Sequence, residues 1–113
     1  MKMILNGDAK NIHPDRQGIY ILGQKLINSH PYWEQQNGSN AIWFWTTRCW
    51  YVGPKQYLGG SMSGIRGPRG ISRSPTQIVN GWRYIGNAGL WKDATVSEIM
   101  FKDISPGTYI CFF

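Results

Sequence analysis

The sequence predicts an all-β protein: a small, single-domain antiparallel barrel or sandwich of short strands, Trp- and Gly-rich, with one long Gly/Ser/Arg-rich loop. Three observations carry this expectation. Short β-branched and aromatic runs recur along the chain, and each is closed off by Gly, Pro or Asn. No stretch sustains the apolar period of about 3.6 residues that marks a helix. The 113 residues fit one domain, 1–113, while the 14 Gly and 6 Pro supply the punctuation of many tight turns.

The elements follow in order. Met1 to Leu5 is apolar apart from Lys2, but Asn6-Gly7-Asp8 ends it short of the roughly 7–15 apolar residues of a secretory core. No membrane span of about 20 apolar residues exists, so the default expectation is a soluble, cytoplasmic protein; a secreted protein whose signal had been removed would look the same. Ile19 to Leu22, bounded by Gly18 and Gly23, reads as a strand. Tyr32 to Val52 reads as a three-stranded meander, with Asn37-Gly38 as a type I′ turn and Thr46–Arg48 as the second link. Within it, Ala41 to Thr46 is apolar on both faces: Ile42 and Phe44 on one, Trp43 and Trp45 on the other.

The segment Gly59 to Pro75 contrasts with these runs. It holds five glycines, four serines and Arg66, Arg69 and Arg73, so an exposed, mobile loop over 59–75 is expected. Trp82 to Ile85 forms another strand between Gly81 and Gly86. Thr95 to Phe101 alternates except at Val96, with Asp93 allowing at most one helical turn, and Thr108 to Phe113 would close the sheet. Central positions in these strands predict a core of Ile21, Ile42, Phe44, Trp50, Val52, Trp82, Tyr84, Ile99 and Phe101.

Catalysis and metal binding find little support. His13 and His30 each precede a proline, with Asp8, Asp15 and Glu34 near them in sequence. Neither nucleophile elbow, paired-carboxylate motif nor Gly-rich phosphate loop accompanies them. His13, His30, Cys49 and Cys111 lack the close ligand pairs of structural zinc sites. The expectation is therefore no enzyme, no cofactor and no metal. Cys49 and Cys111 would be reduced in the cytosol and able to bridge if exported. Asn37-Gly38-Ser39 matches the glycosylation sequon, which matters only in a secreted protein.

Two features point instead to binding. The net charge is +6, and no acid occurs from Gln35 to Lys92, where Arg48, Lys55, Arg66, Arg69, Arg73, Arg83 and Lys92 sum to +7. Such a surface attracts anions. Six Trp and six Tyr are also many for a core of this size. The leading expectation is a non-catalytic, lectin-like glycan-binding module. Trp43 and Trp45 would stack on sugar rings, while Asn37, Asn40, Arg48, Gln56 and Asn87 bond the hydroxyls. A rival is a structural subunit whose aromatic face is buried by a partner protein or a second copy of the chain. A third is recognition of nucleic acid or another polyanion through Arg66, Arg69 and Arg73.

Overall fold

The computed structural model describes residues 2–7, 14–70, 72–86 and 89–104. They form one antiparallel sheet of nine strands: β1 (Lys2–Leu5), β2 (Gly18–Leu22), β3 (Trp33–Gln35), β4 (Asn40–Trp45), β5 (Cys49–Pro54), β6 (Ile65–Arg66), β7 (Arg83–Ile85), β8 (Trp91–Asp93) and β9 (Phe101–Ile104). The spatial order is β8-β7-β6-β5-β4-β3-β2-β1-β9, so β1 to β8 form one continuous meander and β9 returns to pair with β1. Among the described residues there is no α-helix, only 3₁₀ turns at Pro14–Arg16, Lys55–Tyr57 and Pro75–Gln77. Nor, among the described residues, is any helix long and apolar enough to cross a membrane.

The topology forces the sheet to curl. β8 and β9 occupy opposite edges, yet only Ala94 to Met100 separates them in the chain. Those residues reach at most about 28 Å. In a flat sheet of nine strands the edges would lie about 38 Å apart. The half-barrel that results is drawn together by side chains. The Trp82 ring lies 4.7 Å from that of Phe101 on β9, and Thr76 Oγ1 donates to Asp103 Oδ2 at 3.2 Å.

The main core fills the concave face. Met3, Leu5, Tyr20, Trp33, Ile42, Phe44, Trp50, Val52, Ile65, Trp82, Tyr84 and Ile99 form one buried cluster, with Phe101 half-buried against it. On β2 the expected face is reversed: Ile21 is 38% exposed and Tyr20 is buried, its hydroxyl donating to Arg16 O at 2.7 Å. Alternation of period two leaves only one of these neighbours facing inward, and the inward one is the tyrosine. His30 caps one end of this core. Its ring stacks on Phe44 at 4.0 Å, and its Nδ1 lies 2.9 Å from Asn28 O.

Other expectations are corrected. Asn37 is left-handed (φ 57°) but Gly38 is not, so the β3–β4 turn is not type I′. The Gln35 side chain takes the place of backbone pairing there, its Oε1 accepting from Asn40 N at 3.1 Å. Thr95 does not begin a strand: its N–H donates to Glu98 Oε1 at 2.9 Å in a turn, and β9 starts only at Phe101. Thr108 to Phe113 lies outside the described residues. The largest correction concerns Gly59 to Pro75, which is no simple exposed loop. It contains β6, and Gly64, Ile65, Gly67 and Pro75 are buried. Its amides at Gly64, Gly67 and Gly70 donate to Val52, Trp50 and Arg48 carbonyls at 3.0, 2.8 and 2.9 Å. Glycine lets this segment lie close along β5, and backbone pairing then offsets the entropy cost that suggested a loop.

Candidate functional site

The convex face carries a second, smaller aromatic cluster. Trp43, Tyr51, Ala41 and Tyr32 are buried there, with Ile27, Trp45, Cys49 and Leu58 packed against them. The alternation on β4 therefore runs as expected, but Trp43 is no stacking platform: it is 0% exposed and its Nε1 donates to Gly60 O at 3.0 Å. Gly53 explains how it is covered. A Cβ there would lie 3.0 Å from Ser63 Cα and 3.1 Å from the Trp43 ring, so only glycine lets residues 60–63 settle over the indole at this distance.

Toward the far side of that face, strand register builds a row of rings and cations. Tyr51 pairs with Arg66, Arg66 with Arg83, and Arg83 with Asp93 across β5 to β8. The Arg66 guanidinium lies 4.7 Å from the Tyr51 ring centre and 4.3 Å from that of Trp91, a cation held between two rings. Its Nε donates to Ser63 Oγ at 3.0 Å and its Nη2 to Ser61 O at 2.9 Å, which fixes the fork. Trp45 continues the row, near-parallel to Tyr51 at 6.1 Å.

Beside this row opens a cleft of about 400 Å³, lined by Tyr51, Arg66, Arg69, Arg83, Trp91 and Thr47 among others. Arg69 follows Arg66 by three residues, just beyond β6, and Arg83 comes from β7, so two stretches of chain deliver the three cations. Among the described residues one carboxylate answers them: Asp93 Oδ1 lies 3.3 Å from Arg83 Nε, both side chains being largely exposed. Cys49, a free thiol on the convex face of β5, also borders the cleft. Among the described residues, no three His, Cys, Asp or Glu side chains converge as metal ligands.

The expected site residues disperse. Arg66 and Arg69 share the cleft, whereas Arg73 is exposed outside it, its amide bonded to Gln77 Oε1 at 2.8 Å. Asn40 is 1% exposed, its Nδ2 donating to Asp15 O and Gln35 Oε1 at 2.9 Å each, so it serves the fold. Asn37 stands exposed at the β3–β4 hairpin tip, and Gln56 is exposed on the Lys55–Tyr57 turn; neither lines the cleft. Arg48 is left-handed (φ 69°) in the β4–β5 turn, and its carbonyl accepts from Gly70 N at 2.9 Å, next to the cleft-lining Cys49 and Arg69. Asn87 and His13 lie outside the described residues. Tyr51, Arg83 and Trp91 were not singled out as ligand contacts; the acid-free run held Arg83, but only pairing across β6 and β7 sets it beside Arg66.

Two other features carry less. A cleft of about 380 Å³ over β2 and β3 is lined by Ile21, Tyr32 and Gln35 and has Glu34 as its one charged group. Arg16 lays its guanidinium against Gly64, with Nε and Nη1 buried and unbonded, and burial holds its pKa below the ordinary value despite Asp15.

No family model, curated protein or solved structure matches this chain.

Proposed function

We propose that this protein is a non-catalytic binding module that holds an anionic ligand in the cleft over β5 to β8. One observation carries the reading. Arg66, Arg69 and Arg83 converge on a single cleft walled by Tyr51 and Trp91, and among the described residues only Asp93 pairs with one of them. A guanidinium offers a planar fork that matches carboxylate, sulfate or phosphate oxygens in pairs. Its rings hold Arg66 in place before any ligand arrives, which reduces the ordering cost of binding.

Most of the tryptophans serve the chain's own packing, which supports a binding cleft over a broad partner-covered face. Trp33, Trp43, Trp50 and Trp82 are each 2% exposed or less. The polyanion reading is instead re-centred, with Arg83 taking the place given to Arg73.

The test is a tryptophan-fluorescence titration with dextran sulfate and with neutral dextran, at about 50 and 500 mM salt. Dextran sulfate should bind at low salt and weaken by more than about tenfold at high salt. Arg69→Ala combined with Arg83→Ala should abolish most of that binding without lowering the melting temperature. Dextran sulfate binding that ignores both substitutions, or no binding at all, overturns the reading.

A further inference from the structure

We infer that the anion recognised is an acidic sugar residue, a pyranose bearing a carboxylate or sulfate. The inference rests on the binding reading above and names the ligand class of the same cleft.

Size is the first argument. A cleft of about 400 Å³ lies at the small end of pockets for compact ligands, which run at about 300–1,000 Å³. It suits one or two ring units. It does not suit the extended track of several nucleotides that single-stranded nucleic acid occupies.

The second argument is the state of the rings. Nucleobases need open aromatic faces on which to stack in succession. Here Tyr51 already holds Arg66 over its ring with Trp45 alongside, and Trp91 holds the other side of the same guanidinium. The row therefore meets a ligand with a fixed guanidinium beside the half-buried Trp45 and Trp91. Fixed forks of this kind pair with the anionic substituent of a compact sugar and not with a succession of stacked bases. Thr47 at the cleft wall adds a hydroxyl, which both donates and accepts as sugar hydroxyls require.

The third argument is the Arg83–Asp93 pair. Its side chains are 54% and 92% exposed, so it is weakly held and screened by water. A ligand carboxylate or sulfate competes directly with Asp93 for Arg83. Asp93 therefore acts as an internal stand-in for the ligand's anion, and removing its charge frees the fork.

The experiment titrates the full chain, by tryptophan fluorescence, with four short probes: a hyaluronan tetrasaccharide (carboxylate), a heparin tetrasaccharide (sulfate), cellotetraose (neutral) and the oligonucleotide dT4 (phosphate). At least one acidic tetrasaccharide should bind about tenfold or more tightly than cellotetraose and dT4. Which one binds identifies the anionic group. Asp93→Asn should tighten that binding several-fold, and Arg83→Ala should weaken it about tenfold. Binding of dT4 as tight as that of the sugars overturns the inference while the anion-binding reading stands. The same holds if dextran sulfate binds but neither acidic tetrasaccharide does. Cellotetraose binding as well as the acidic sugars shows that charge is not read and overturns both. Weaker sugar binding in Asp93→Asn overturns the stand-in role and with it the assignment of Arg83.

Discussion

Trp50 and Tyr51 are neighbours in the chain, both buried, and they do different work. Trp50 faces the concave side, with the rings of Phe44 and Trp33 edge-on at 5.2 and 5.7 Å and its Nε1 donating to Ser72 O at 3.0 Å. Tyr51 faces the convex side, among Trp43, Trp45 and the Arg66 guanidinium. One residue's step along β5 exchanges an apolar surrounding for one that contains a charge. The concave face draws on seven strands and stabilises the fold by removing apolar surface from water. The convex cluster is thinner and covered by residues 58–63, and the Arg66 guanidinium that lies over its Tyr51 ring also borders a cleft. Similar aromatic content thus gives a core on one face and a charged, partly open surface on the other.

That contrast can be broken or sharpened by experiment. The largest effect belongs to the concave face. Phe44→Ala should cost about 3–5 kcal/mol in chemical denaturation, the range for deleting a buried Phe; an unchanged midpoint would place the true core elsewhere. Gly53→Ala comes next, at about 1–3 kcal/mol, because its methyl meets Ser63 Cα and the Trp43 ring. A neutral outcome would show that the segment over Trp43 is loosely held.

Alkaline titration separates the faces differently. Burial pushes the phenols of Tyr20 and Tyr84 above the ordinary 10.0, with the Glu98 charge and hydrogen bond adding at Tyr84. The folded chain then keeps a proton that the unfolded chain loses. Stability is complete below about pH 10 and falls above it, by up to about 1.4 kcal/mol per pH unit from the buried Tyr20. Denaturation midpoints at about pH 9 and pH 11 measure this, and Tyr20→Phe should reduce the slope. A slope unchanged by Tyr20→Phe would count against the concave burial of its hydroxyl. The smallest effect is expected for Arg66→Ala, about 0.5–1 kcal/mol for a half-exposed cation between the buried Tyr51 and the half-buried Trp91. A loss above about 2 kcal/mol would show that the convex row is as much core as the concave face.

The all-β class, the meander from Tyr32 to Val52 and the two-faced pattern of β4 were legible in the sequence. They depend on local chemistry: alternation of period two, β-branched and aromatic residues, and turn residues between them. Even the opposition of Trp43 to Ile42 and Phe44 is a local consequence of the pleat. What the sequence did not determine was which face each run would turn inward and what would cover the outer one. Ile21 and Tyr20 have similar claims on the core, and only pairing of β2 with β1 and β3 chose the tyrosine. The glycines of residues 59–75 read locally as flexibility. Tertiary contact gave them another use, close approach to β5, which hid Trp43 and made β6 a central strand. The cleft shows the same division: its charge excess was visible in the acid-free run, but Arg66, Arg83 and Trp91 are far apart in sequence. They meet because β6, β7 and β8 are hydrogen-bonded neighbours, and that register is a property of the folded sheet alone.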